Sequence, residues 1–323
     1  MGMLPVLEGI DVAPRRWQGR NDGLGAEHAR WHNVVTPFHG DASGICLIGF
    51  ASDEGVRRNH GRPGAAAGPA AVREQLASLA ARVGPVTDCG DVKVLDADLE
   101  AGQQALAEGA AAVLDAGGLP VVLGGGHEVA WASYLGLSRS ADGARDSLRH
   151  GVFNTDAHFD LRTEERATSG TPFLQMAHAE ADRGRALNYA VAGISPVNNT
   201  PVLFRAAEEL GVAVLLDEDC ADAAAVDVFV DAFIERTDRI HLTIDLDCLP
   251  AAVAPGVSAP AGFGIDVATV RRICGRIGAS GKLALVDVAE LNPGLDVDHR
   301  TARTAARLIE HTLYSWTRAS KDR

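Results

Sequence analysis

The stretch NTDAHFDLR, residues 154–162, places Asp156, His158 and Asp160 at alternate positions. All three are metal-ligand side chains. On an extended strand they would share a face, but Asp156 and Asp160 would stand roughly 13 Å apart. On a helix, His158 would point away from both aspartates. They meet only if the chain turns there, as it does where a buried strand runs out into a loop. Val152 and Phe153, apolar and β-prone after His150-Gly151, supply that strand. Two further segments carry the same chemistry. VVLGGGHEVA places His127 behind three glycines, and HLTIDLDCLP places Asp245 and Asp247 two apart. Four facing carboxylates without partners are costly to desolvate. One divalent ion leaves two negative charges uncompensated, whereas two bring the set to neutrality. Two ions ~3.5–4 Å apart also acidify a water enough to make it a nucleophile near neutral pH. Oxygen-rich ligation with a minority of imidazole suits manganese better than zinc. Cys248, as the strand neighbour of Asp247, is expected to point the other way.

The elements that must position these groups are visible as apolar runs. Ile45–Phe50, Val83–Thr87, Pro120–Leu123, Val152–Thr155, Asn188–Ala192, Val212–Leu216, Ile240–Ile244 and Leu283–Val288 are continuously apolar, as strands buried on both faces are. Ala-rich helical stretches separate them. DLEAGQQALAEGAAAVLDAGG aligns Leu99, Leu106, Ala110, Val113 and Leu114 on one face and stops at Gly117-Gly118. Asp266 and Asp298 are expected to cap the two later helices. Such alternation predicts an α/β fold with a parallel sheet and helices on both faces. Residues 1–42 read as an irregular N-terminal arm, and 43–323 as one catalytic domain. Most metal-capable residues follow the strand runs, at the carboxyl ends where open α/β sheets bind ligands.

Composition narrows the partners. A net charge of −13 argues against nucleic acid or anionic membrane. No apolar run approaches a membrane span, and the first residues lack the order of a secretory signal. Five cysteines, Cys46, Cys89, Cys220, Cys248 and Cys274, are scattered singly without a CxxC. A cytoplasmic protein with reduced thiols is expected. The other histidines lack acidic company and read as surface or structural, His60 being the least settled because of its neighbourhood.

In GRPGAAAGPAAVR, GGGHE, NTDAHFDLR, SGTPF, LTIDLDCLPAAVAPGVSAPAGFG and VDVAELNP, in this order, the chain resembles the ureohydrolase superfamily of arginase, agmatinase and formimidoylglutamase from about residue 44 onward. The resemblance implies a three-layer α/β/α fold around an eight-stranded, mainly parallel sheet. It implies two Mn2+ per subunit on His127, Asp156, His158, Asp160, Asp245 and Asp247, and Glu290 against the amidinium or guanidinium of a substrate. The arginase and agmatinase pattern has Asp and Ser where this chain has Gly126 and Glu128, and a histidine where it has Ser169. DEGVRRNHGRPGA, DAHFDLR, SGTPF and PGVSAPAG together resemble the formimidoylglutamase branch, which releases L-glutamate and formamide from N-formimidoyl-L-glutamate in histidine degradation. From Gly55 to Arg73 there is no acidic residue, but there are Arg57, Arg58, Arg62 and Arg73. A substrate with one amidinium and two carboxylates needs acidic and basic receptors together, and arginine forks pair carboxylates well. Arg57, Asn59, Arg62, Arg162, Ser169 and Glu290 are the expected substrate contacts and Asp160 the expected proton carrier, while Arg58 and Arg73 are expected to bind a neighbouring subunit or a helix C-terminus. The alternatives are an agmatinase or guanidino-acid hydrolase releasing urea, and a non-catalytic metal-binding assembly protein. The resemblance also implies a homo-oligomer.

Overall fold

Every predicted apolar run becomes a strand because a helix covers it on each side. The computed structural model describes residues 7–321 apart from 8, 14, 15 and 146. Among the described residues the strands are β1 (Val35–Pro37), β2 (Ile45–Ala51), β3 (Val86–Lys93), β4 (Leu119–Leu123), β5 (His150–Thr155), β6 (Tyr189–Ile194), β7 (Ala213–Leu216), β8 (Arg239–Asp245) and β9 (Leu283–Ala289). They form one nine-stranded sheet in the order β1-β3-β2-β4-β9-β8-β5-β6-β7, and every pairing is parallel. The chain leaves β4 for β5 on the far side of a gap, and β8 and β9 later fill it. That reversal sets the carboxyl ends of β4, β9, β8 and β5 side by side.

Neighbouring residues of a strand enter different cores, which is why the runs do not alternate with polar residues. Val121 and Leu123 pack in one cluster with Leu76, Val230, Ile273 and Ile309, from the helices Gly68–Ala77, Ala223–Glu235, Val267–Ala279 and Arg300–Lys321. Val122 between them packs in another with Leu99, Leu106 and Val113 of the helix Leu99–Asp115. Phe173 and Met176, from Pro172–Asp182, meet Val152, Tyr189 and Val191 in a third. The result is a three-layer α/β/α sandwich.

Three local readings are corrected. β3 begins at Val86, not Val83, and runs through DCGD to Lys93. A polar segment survives inside the strand because Arg73 bonds Asp88 with both Nε (3.0 Å) and Nη2 (2.9 Å), and Asp91 with Nη1 (2.5 Å). The N-terminal region is not wholly irregular: β1 adds an edge to β3, and the sheet has nine strands where the resemblance implied eight. Trp31 is completely buried under Trp17, which donates to Asp88 Oδ2 at 2.8 Å. The last long helix is capped by Asp296, which accepts from Thr301 N and Ala302 N, and not by Asp298, whose φ is 53°. Asp98 caps its helix through Ala101 N, whereas Asp266 occupies the cap position of Val267–Ala279 without a side-chain bond. All five cysteines are free and buried.

Arg73 therefore holds two carboxylates of β3 in the protein interior, rather than a helix C-terminus or a neighbouring subunit. Removing it leaves them uncompensated, so Arg73→Ala is expected to destabilise the fold by about 3–5 kcal/mol in urea unfolding. A loss below about 1 kcal/mol would show that water reaches the pair.

Candidate metal centre and substrate cavity

The turn demanded by the DAHFD spacing is made immediately after β5. Asp156 is the first residue beyond the strand, its Oδ1 accepts from His158 N at 2.7 Å, and Asp160 adopts a left-handed φ of 49°. Asp tolerates this region better than most residues. Asp245 closes β8, and its Oδ1 accepts from Asp247 N at 2.8 Å. Asp247 and Cys248 lie in a short 3-10 turn rather than on a strand. Cys248 is nonetheless fully buried and outside the ligand clusters. His127 follows β4 through the glycine loop.

The six groups converge. Ligand atoms of His127, Asp156, Asp160 and Asp245 lie within 4.8 Å of one another, and so do those of Asp156, His158 and Asp247. Asp156 is common to both sets, which is the arrangement two neighbouring cations need. His127 Nδ1 stands 3.1 Å from Asp156 Oδ2, 2.9 Å from Asp160 Oδ2 and 2.9 Å from Asp245 Oδ2. His158 Nδ1 is 3.1 Å from Asp247 Oδ2. Asp247 Oδ1 is buried without any hydrogen-bond partner. An orphaned carboxylate oxygen beside a second acid is what a cation would satisfy, so the residues fit a pair of divalent ions.

Electrostatics say the same. Burial, then Asp156, pushes Asp160 up to about 6. Burial, then Asp245, raises Asp247 well above the ordinary carboxylate range. Burial opposes the charged form of His158, but Asp247 and Asp156 outweigh it and carry the imidazole up to about 12. Without cations the histidines carry part of the balancing charge, and protons held by Asp160 and Asp247 supply the rest.

A network absent from the sequence reading orients His127. Its Nε2 lies 3.0 Å from Thr243 Oγ1, Thr243 donates to Asp287 Oδ1 at 2.5 Å, and Asp287 Oδ2 meets His241 Nε2 at 2.5 Å. Because Thr243 gives its proton to Asp287, it accepts from His127 Nε2–H, so that Nδ1 faces the carboxylates, protonated without cations and available to ligate one when they are bound. The signal was present: Thr243, Asp287 and His241 are polar residues inside otherwise apolar, fully buried strands.

Above the ligands opens a cavity of about 530 Å3 whose lining includes Asn59, Arg62, Arg162, Ser169 and Glu290. Glu290, just beyond β9, has a φ of 71° and accepts from His127 N at 2.9 Å through Oε1. Burial, then Asp245 and Asp247, raises its carboxyl well above the usual range. Asn59 Nδ2 donates to Ser169 Oγ at 3.1 Å. The arginines separate. Arg57 does not line the cavity, which corrects its expected contact role: its guanidinium turns outward to Glu54 and Asp53. Arg58 is buried against Glu54 and Glu100 and is structural. Arg62 lines the cavity, but its Nε and Nη2 donate to the carbonyls of Ser258 and Val257 at 2.8 Å each. Arg162 lies over Gly170, where a Cβ would come within 2.8 Å of its Cδ. Its guanidinium has no hydrogen-bond or ion-pair partner among the described residues. His60, the histidine the sequence left least settled, also lines the cavity, as does Ser258, which the sequence did not single out.

Comparison with known proteins bears on this geometry. The model of the arginase family matches residues 43–314. The formimidoylglutamase of Rhodococcus jostii (strain RHA1) is 54% identical, the alignment covering 95% of this chain and 98% of that protein. That of Nocardia farcinica (strain IFM 10152) is 55% identical over 92% and 96%. The crystal structure of Trypanosoma cruzi formiminoglutamase with two Mn2+ ions aligns at a TM-score of 0.76 and 27% identity, covering 84% of this chain and 93% of that one. Bacillus subtilis formimidoylglutamase shares the fold at a TM-score of 0.81 and 21% identity, with coverage of 90% and 92%.

Two outcomes are expected of the ligand set. Asp245→Ala should lose the manganese pair, measured as metal per chain after dialysis. Loading should also release protons, because cations must displace the His158 proton at any pH below about 12 and the Asp160 proton below about 6. Affinity should then fall with falling pH, by about tenfold per pH unit for each proton displaced. Calorimetry in buffers of different ionisation enthalpy reads this directly, and pH-independent loading would contradict it.

Proposed function

This chain belongs to the arginase family, and we infer that it is a binuclear manganese hydrolase that cleaves N-formimidoyl-L-glutamate to L-glutamate and formamide. Its high identity to formimidoylglutamases over nearly the whole chain supports that reaction. One structural observation carries the substrate choice: the cavity that holds acidic Glu290 beside the ligand cluster also holds the unpaired guanidinium of Arg162. An amidinium at one end and carboxylates at the other match such a cavity. Agmatine, which has no carboxylate, would leave Arg162 without a partner.

The roles of individual residues follow as proposals. His127, Asp156, His158, Asp160, Asp245 and Asp247 would hold the two manganese ions. When bound, these supply Lewis acidity and a water acidified to near neutral pH. Glu290 receives the amidinium N–H groups and aims the amidine carbon at the ligand cluster. Its fixed backbone bond to His127 N ties that aim to a ligand-bearing loop. Water adds its oxygen to the carbon and the C–N bond to glutamate breaks. Asp160 carries a proton from the water to the leaving nitrogen, so that glutamate leaves as the amine and the carbon as formamide. Arg162 pairs a substrate carboxylate, with Asn59, Ser169 and Arg62 completing the wall.

The chain is further proposed to act in the cytoplasm, where its five free thiols remain reduced. No described helix is long and apolar enough to cross a membrane. A homo-oligomer is proposed from the family resemblance, and light scattering on the purified protein tests it.

The deciding assay offers N-formimidoyl-L-glutamate, agmatine, arginine and guanidinobutyrate with manganese, scoring formamide against urea. Formamide from the first and negligible urea from the rest is the expected result; urea from guanidinobutyrate alone would replace this reading with a guanidino-acid hydrolase. Arg162→Ala should raise KM about 10–100-fold with little change in kcat, the signature of a lost charged binding contact. Arg62→Ala should raise it less, because part of that guanidinium is already engaged by the protein.

A further inference from the structure

Glu128 is a buried acid without an ionic partner. Three other buried carboxylates away from the ligand cluster face cations: Glu54 meets Arg58, Asp88 meets Arg73, and Glu310 meets Arg82. Glu128 is fully buried, yet Oε1 accepts only from neutral donors, Ser52 Oγ at 2.8 Å and Gly55 N at 3.0 Å. Its Oε2 has no hydrogen-bond partner. The chain makes room for this group at two places. A Cβ on Gly126 would fall 2.2 Å from Oε2, and one on Gly55 would fall 2.4 Å from it.

The bonds of Glu128 join two segments with different duties. One is the glycine loop, ending in the ligand His127. The other begins at Ser52, passes through the helix Glu54–Arg58 and reaches Val56, Asn59, His60, Gly61 and Arg62, all of which line the cavity. Gly126 N adds a bond to Ser52 O at 3.2 Å, and Gln103 Nε2 pins the Glu128 carbonyl at 2.9 Å from the opposite side. A Cβ on Gly126 would also meet Val56 Cγ2 at 2.4 Å, so Val56 packs into the same niche. We propose that Glu128 is a positioning residue for the substrate, a brace that sets the cavity wall of residues 52–62 at a fixed distance from the metal-ligand loop. Without its carboxylate, Ser52 and Gly55 lose their acceptor and Val56 can sink into the vacated niche. The wall then moves while the ligand cluster stays in place. This inference rests on the proposed reaction for its kinetic readout but not for its structural one.

The test compares wild type with Glu128→Ala, Glu128→Gln, Ser52→Ala and Gly126→Ala. Glu128→Ala should raise KM for N-formimidoyl-L-glutamate about tenfold, because two buried donors are orphaned, with kcat within about threefold. It should retain two manganese ions, and amide exchange across residues 52–59 should accelerate. Glu128→Gln keeps the acceptor oxygen and should bring KM back to within about threefold of wild type. Gly126→Ala should raise KM on its own, because its Cβ would collide with both Glu128 Oε2 and Val56 Cγ2. An unchanged KM in Glu128→Ala, or manganese lost together with kcat, overturns the proposal. If Glu128→Ala does not fold, Ser52→Ala decides: a KM rise supports the brace and an unchanged KM overturns it. Should wild type fail to turn over the substrate while amide exchange still responds to Glu128→Ala, the reaction is wrong and the brace stands.

Discussion

Four carboxylates and two imidazoles, nearly all buried, face one another closely at one end of the sheet, and the need to neutralise them governs the site. The interior cannot hold that much negative charge unpaired. Protonated histidines offset part of it, and burial raises the proton affinity of Asp160, Asp247 and Glu290 to offset more. Both are substitutes for cations. Two divalent ions remove the repulsion at once and return the carboxylates to their charged form, so the same cluster that is strained alone becomes a stable cage when loaded.

The parallel sheet is what makes such a cluster possible. β8 and β9 enter late, between β4 and β5, and bring the ends of four adjacent strands into register. Each end then departs from regular geometry in its own way: a left-handed Asp160, a left-handed Glu290, a 3-10 turn at Asp247. These departures are where rigid strands hand over to side chains that must converge. Rigidity below the site comes from the same strands. Thr243 and Asp287 are register partners across β8 and β9, and their hydrogen bond fixes the imidazole of His127 from beneath.

Much of this was legible in the sequence, for definable reasons. Continuous apolar runs reveal strands buried on both faces, and alternating acids at their ends reveal a turn that gathers ligands. β1 was not legible, because Val-Thr-Pro is too short to carry a pattern and exists only through its pairing with β3. The extension of β3 through Asp88 and Asp91 was hidden because its polarity is cancelled by Arg73, distant in sequence. The arginines show the same limit most clearly. Composition counts cations but does not say which are already paired: Arg57, Arg58 and Arg73 are held by carboxylates, Arg62 partly by carbonyls, and only geometry separates them from Arg162.

That separation explains how one cavity can treat the two ends of a substrate differently. With the ligand cluster neutralised by cations, the acidic end is Glu290, buried beside that cluster, where a cationic group would be drawn toward the chemistry. Arg162, proposed as the basic end, lines the same cavity and has no hydrogen-bond or ion-pair partner for its guanidinium among the described residues. A carboxylate bound at Arg162 would be repelled by the acidic depth of the cavity. On the proposed reading, the order of charges along the cavity would favour one orientation of a substrate carrying both signs. A purely cationic amine would, on that same reading, lack the second anchor that Arg162 offers.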